Sequence, residues 1–66
     1  MQIFVNEQSH ELADGTTVAE LLDALGLAGK PVAVELNRHV VPKARHQEQA
    51  LAAGDRLEIV TLVGGG

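Results

Sequence analysis

The sequence contains no cysteine, no tryptophan and no tyrosine, and Phe4 is its single aromatic residue. Without cysteine there can be no disulfide, thiolate metal site or thiol nucleophile, and nothing requires an oxidising compartment. Without aromatic platforms, a single-stranded nucleic acid has nothing to stack on. Cations are scarce as well. Five lysines and arginines against nine acids give a formal charge of −4, the wrong sign for a phosphate-backbone binder. No apolar run approaches membrane-spanning length, and the N-terminus lacks a basic-then-apolar secretion pattern. A soluble, cytoplasmic protein that binds neither nucleic acid nor membrane is therefore expected.

What remains is 66 residues, 45% apolar and 21% charged, a globular composition with room for one domain and one small core. Ordering such a chain costs on the order of 100 kcal/mol, so nearly every apolar side chain is needed to offset it. A chain this short cannot both fill its core and hollow it into a large pocket, which argues against an enzyme.

The hydrophobic pattern divides the chain into short elements. Gln2 to Asn6 reads as a strand with Ile3 and Val5 on one face, and Asn6 to Ser9 supplies turn chemistry. His10 to Ala13 reads as the returning strand of a hairpin. Thr17-Val18-Ala19-Glu20 matches a capping box, in which a Thr N-cap and a Glu three residues later satisfy each other's backbone donors. Val18, Leu21, Leu22 and Leu25 then form one helical stripe, and Gly26 suits the left-handed stop. Val32 to Leu36 is a third strand and His39 to Val41 a short fourth. Asn37-Arg38 sits between them, where the poor fit of Arg38 to positive φ predicts a slightly longer turn. Pro42 ends the fourth strand, residues 43 to 53 read as a loop with a turn or two of helix, and Arg56 to Val63 is the strongest strand. One helix can cover only one face of a sheet. The order thus predicts an α+β fold: a mixed sheet of about five strands with the first and last parallel at its centre, the β-grasp arrangement. Residues 1–63 form this domain, and 64–66 are expected to be a flexible glycine tail.

Candidate chemistry is sparse. His10, His39 and His46 lie in no metal-ligand spacing, and Ser9, the only serine, falls in a turn, so the histidines read as solvated strand-end and loop residues. Arg38, His39, Lys43, Arg45 and His46 form a stretch without acids, either a solvated edge or a docking stripe for an acidic partner. Gly64-Gly65-Gly66 is more informative. Glycines after an apolar strand add backbone entropy and no buried area, so they read either as a frayed, unselected end or, the favoured reading, as a segment that must pass through something narrow. Val63 to Gly66 extended would reach roughly 13 Å, enough to carry an α-carboxylate into a deep cleft of another protein. Ionised at neutral pH, that carboxylate is a nucleophile toward an activated phosphoryl centre and becomes an electrophile once adenylated. If Ile3, Val5, Leu57 and Ile59 face the helix, then Phe4, Val60 and Leu62 face outward as an apolar partner-binding patch at the base of the tail.

Taken together, Met1 to Asn6, Asp14-Gly15-Thr16-Thr17-Val18 with Leu21-Leu22, Ala33 to Asn37, Val40-Val41-Pro42, Gly54 to Val60 and the terminal Gly65-Gly66 resemble the ThiS family. These are sulfur carriers of thiamine biosynthesis within the ubiquitin-like β-grasp superfamily, and the resemblance runs the whole length. It implies that Gly66 is adenylated by a ThiF-type enzyme and converted to a thiocarboxylate by sulfur from a cysteine desulfurase persulfide. Thiazole synthase of the ThiG type then accepts that sulfur. Gly64 and Gly65 would thread the partner's cleft, and ATP and magnesium would belong to the adenylating enzyme, with no cofactor bound by this chain. Gly64 extends the usual pair, and Lys43-Ala44-Arg45-His46 departs from the family's more common residues. The absence of arginine before the diglycine speaks against protein conjugation. A molybdopterin-synthase small subunit-like carrier, or a non-covalent β-grasp interaction module, is the alternative.

Overall fold

A computed structural model describes residues 1–62. Strands β1 (Gln2–Val5), β2 (Gln8–Glu11), β3 (Val32–Leu36), β4 (His39–Val40) and β5 (Arg56–Thr61) form one sheet in the order β2-β1-β5-β3-β4. Helix α1 (Val18–Ala24) crosses one face, and a single 3-10 turn, Lys43–Arg45, punctuates the long loop. β1 and β5 run parallel at the centre, with Phe4 opposite Arg56 and Val5 opposite Leu57; the other pairings are antiparallel. This is the expected one-sided sheet.

Alternation along the strands sets the two faces. Ile3, Val5, Val34, Leu57 and Ile59 point toward α1 and meet Val18, Leu21 and Leu22 from the helix. Val41 and Leu51, from the loop regions, complete the core. Thr17 caps the helix as the sequence predicts: its Oγ1 accepts the Glu20 N–H at 3.2 Å, and Glu20 Oε1 accepts the Thr17 N–H at 2.9 Å. Two more of the helix's orphan donors are satisfied by the loop, Val18 N–H by the Gln49 carbonyl and Ala19 N–H by the His46 carbonyl, both at 2.9 Å. The 43–53 segment is therefore a cap for the helix as much as a connection. Gly26 takes φ +75° just after the Leu25 C-cap, the left-handed stop the sequence suggests.

Two turns are tighter than expected. The first hairpin closes through Asn6-Glu7 alone, with φ of 48° and 71°, so Val5 pairs with Gln8 and β2 begins two residues before the expected His10. The second closes through Asn37-Arg38 with φ of 49° and 71°; Arg38 does adopt the left-handed region, and no longer turn forms. Both show the positive-φ pair of a type I′ turn, whose twist matches the flanking strands. Each holds asparagine first, the residue after glycine that tolerates this region best.

Candidate functional site

The partner-binding residues proposed from the sequence do not form one contiguous patch. Phe4 and Val60 lie on the open face of the sheet, but Phe4 is half-buried at the level of Arg56, and Val60 stands four residues further along β5. At about 3.3 Å per residue this separates them by roughly 13 Å. The outward positions between them are charged. Arg56 places its Cζ 4.8 Å from the Phe4 ring centroid, and Glu58 sits directly opposite Glu35 of β3. An apolar stripe is interrupted because β5 alternates Ile and Leu inward with Arg and Glu outward. Val60 remains 56% exposed, and Val40, opposite Glu35 at the β4 edge, is 71% exposed. Val40 was not singled out from the sequence, because a two-residue edge strand gives too short an alternation to reveal its face.

Leu62, 51% exposed, belongs to different surroundings. It lines a groove of about 430 Å³ on the helix side, with Leu22, Leu27 and Val32 among the apolar walls and Lys30 and Lys43 among the polar ones. Its N–H donates to the Pro31 carbonyl at 2.9 Å, which extends the β5–β3 ladder one step beyond Thr61. Gly64, Gly65 and Gly66, the expected threading and modification sites, lie outside the described residues; Leu62 is the last position whose placement bears on them.

The histidines are dispersed. His10 is half-buried on edge strand β2, and His39 is exposed on β4 at the opposite edge. His46 corrects the sequence reading: it is a core residue, 7% exposed, and its Nε2–H donates to the Val41 carbonyl at 3.0 Å. A carbonyl oxygen can only accept, which fixes the proton on Nε2. Burial follows from the 3-10 turn at Lys43–Arg45, which carries the chain back beneath the start of α1. The Arg38-to-His46 stretch is consequently not a single stripe. His46 turns inward, Lys43 lines the helix-side groove, and Arg38 lines a crevice on the open face with Glu7, Glu35 and Glu58. Among the described residues no group of three histidine or acidic side chains is placed to hold a metal ion.

Two asparagines that local sequence pattern does not single out fasten β5 as structural ties. Asn6 Oδ1 accepts the Ile59 N–H at 2.8 Å, while its Nδ2 donates to the Ile59 carbonyl at 3.0 Å. Asn37 Oδ1 accepts the Arg56 N–H at 3.0 Å, and its Nδ2 donates to Asp55 Oδ1 at 3.0 Å. The sequence signal was there: asparagine at the first position of each tight turn. Its long-range partner could not be read from local pattern.

The ThiS family model matches residues 1–66, the whole chain. A thiazole synthase of Paramagnetospirillum magneticum is 39% identical over 66 residues; the match takes in all of this chain, which spans about a fifth (20%) of that longer protein. The sulfur carrier protein ThiS of Escherichia coli is 32% identical over 66 residues, with both chains covered completely. Among solved structures, the crystal structure of a thiamine biosynthesis protein (ThiS) from Geobacter metallireducens superposes with a TM-score of 0.84 at 33% identity, again over the full length of both chains. The family match over the whole chain, the similarity to a sulfur carrier protein along its full length and the shared fold agree: the chain belongs to the ThiS family.

Proposed function

We propose that this protein is a sulfur carrier of thiamine biosynthesis, a substrate of other enzymes and not itself a catalyst. The observation that carries the reading is the end-to-end similarity to the Escherichia coli sulfur carrier protein ThiS. The sequence supplies the chemistry: β5, the central strand, is followed within five residues by Gly64-Gly65-Gly66.

The α-carboxylate of Gly66 is the reacting group. One of its oxygens attacks the α-phosphorus of ATP on a ThiF-type enzyme, forming an acyl-adenylate and releasing pyrophosphate. The terminal sulfur of a persulfide derived from cysteine then attacks the carbonyl carbon, and AMP leaves with the bonding electron pair. A second thiol cleaves the remaining S–S bond, giving the Gly66 thiocarboxylate and a disulfide on the donor. ATP and magnesium act at the partner's site. Thiazole synthase is the acceptor best supported, since proteins of that name contain a segment similar to the whole of this chain. This favours thiazole formation over the molybdopterin alternative. Glycine suits Gly64 and Gly65 because a narrow cleft admits a chain without side chains. Phe4, Val60 and Leu62 contribute to docking as separate contacts, Phe4 and Val60 from the open face and Leu62 from the root of the tail.

The test is carrier-dependent pyrophosphate release by a ThiF-type enzyme supplied with ATP and magnesium. The intact chain should support it, and removal of Gly65-Gly66 should abolish it without moving the unfolding midpoint, because the buried core side chains among the described residues lie between Ile3 and Ile59. Undiminished release from the shortened chain would refute the assignment.

A further inference from the structure

The parallel β1–β5 ladder is short. Its pairs are Phe4 with Arg56 and Val5 with Leu57, followed by the Asn6 N–H donating to the Leu57 carbonyl at 2.9 Å. There β1 turns away into its hairpin, yet β5 continues for four more residues. On its other side β5 stays paired with β3 to the end, Val34 with Ile59, Ala33 with Val60 and Val32 with Thr61, and then Leu62 with Pro31. On the β1 side the Asn6 side chain takes over. Its amide is a donor and an acceptor held side by side, the same pair a strand residue would offer, and it satisfies both the N–H and the carbonyl of Ile59. The left-handed backbone at Asn6, φ 48°, is what allows the chain to turn while the amide stays behind at the sheet. Ile59 lies three residues before Leu62, roughly 10 Å from the root of the tail.

We propose that Asn6 is a positioning residue for transfer to Gly66: its amide acts as a surrogate strand that holds the outgoing end of β5 and thereby fixes the direction in which the tail leaves the body. This rests on the carrier reading above and adds to it a residue far from the reacting atom in sequence. Without the amide, β5 beyond Leu57 keeps backbone hydrogen bonds on the β3 side alone, and its end past the buried Ile59 can pivot about that ladder. A partner would still dock the body equally well, but fewer docked complexes would have the tail seated in its cleft. The protein contains its own control. Asn37 occupies the equivalent turn position, with nearly the same φ of 49° and two side-chain hydrogen bonds to β5 and its preceding turn, but it grips Arg56 and Asp55 at the strand's beginning.

Glycine at either position keeps the left-handed turn and removes the amide. In the ThiF-type assay with purified full-length carrier, Asn6→Gly should lower kcat about five- to tenfold with KM for the carrier changed less than twofold, as expected if roughly one hydrogen bond's net worth of tail order is lost. Asn37→Gly should leave kcat within twofold of the unsubstituted protein even where its unfolding midpoint falls as far. Simple destabilisation cannot produce that split, because a variant still mostly folded retains its turnover at saturation. Asn6→Asp keeps an acceptor for the Ile59 N–H but sets a carboxylate oxygen against the Ile59 carbonyl in place of the donor, so its kcat should fall at least as far as that of Asn6→Gly, and it decides the matter if Asn6→Gly does not fold. Unchanged kcat in the folded Asn6 variants, or an equal loss in Asn37→Gly, overturns the proposal while leaving the carrier reading standing. No turnover of the unsubstituted chain removes both.

Discussion

Replacing His46 tests whether that side chain belongs to the structure or to the chemistry. His46→Ala deletes a ring that is 7% exposed and withdraws the donor from the Val41 carbonyl. A buried carbonyl left without its partner costs about 1–3 kcal/mol, and the volume vacated by the ring adds a cavity term of about 1 kcal/mol or more. The expected loss is about 2–4 kcal/mol, against a total stability of roughly 3–10 kcal/mol for a domain of this size. Equilibrium urea unfolding followed by far-ultraviolet circular dichroism suits the measurement. With a slope near 1 kcal/mol per molar urea, the midpoint should fall by about 2 M or more. His39→Ala, at an exposed edge position, is the control and should stay within about 0.5 kcal/mol of the original. If His46→Ala unfolds at the same urea concentration as His39→Ala, His46 is not the core residue described here and its burial and hydrogen bond contribute nothing.

Other substitutions probe the turns, the cap and the open face. Glu7→Gly and Arg38→Gly each replace a side chain held at φ 71°, and each should stabilise the protein by about 0.5–1 kcal/mol in thermal unfolding; a fall in midpoint for both would contradict the turn assignment. Thr17→Ala removes the acceptor for the Glu20 N–H and should cost about 1 kcal/mol, or about 4–8 °C in Tm. Val60→Asp, on the open face, should leave Tm nearly unchanged and weaken binding to the adenylating enzyme measured by calorimetry. Phe4→Asp should weaken binding too but also lower stability by about 1 kcal/mol, since the ring is half-buried and stacked beneath Arg56. Equal affinity for the original and both variants would remove the open face from the docking surface.

The strands and the helix were legible because each rests on local pattern, and the one-sided sheet with its first and last strands parallel follows from having a single helix to cover it. Ile3 and Val5 alternate, Val18, Leu21 and Leu22 recur at helical spacing, and Thr17 and Glu20 stand three apart, so the sequence dictates these features before any tertiary contact forms. Features set by distant partners were hidden. His46 looks like a loop residue until the 3-10 turn at Lys43–Arg45 brings it under α1, and no neighbour in sequence announces the Val41 carbonyl waiting there. On propensity alone Arg38 is unsuited to a two-residue turn. The side-chain and backbone bonds from Asn37 to Arg56 hold that turn in place and outweigh the cost of one left-handed arginine. The apolar patch failed for a similar reason. Alternation correctly sends Phe4 and Val60 outward, but contiguity depends on the register between strands, which puts Arg56 and not Val60 beside Phe4.

The most direct measurement is the intact mass of the purified protein after incubation with ATP, magnesium, a ThiF-type enzyme, a cysteine desulfurase and cysteine. The account predicts replacement of one oxygen by one sulfur, confined by fragmentation to Gly66 and reversed when thiazole synthase and its other substrates are added. An unchanged mass in a mixture that loads the Escherichia coli ThiS protein would contradict it.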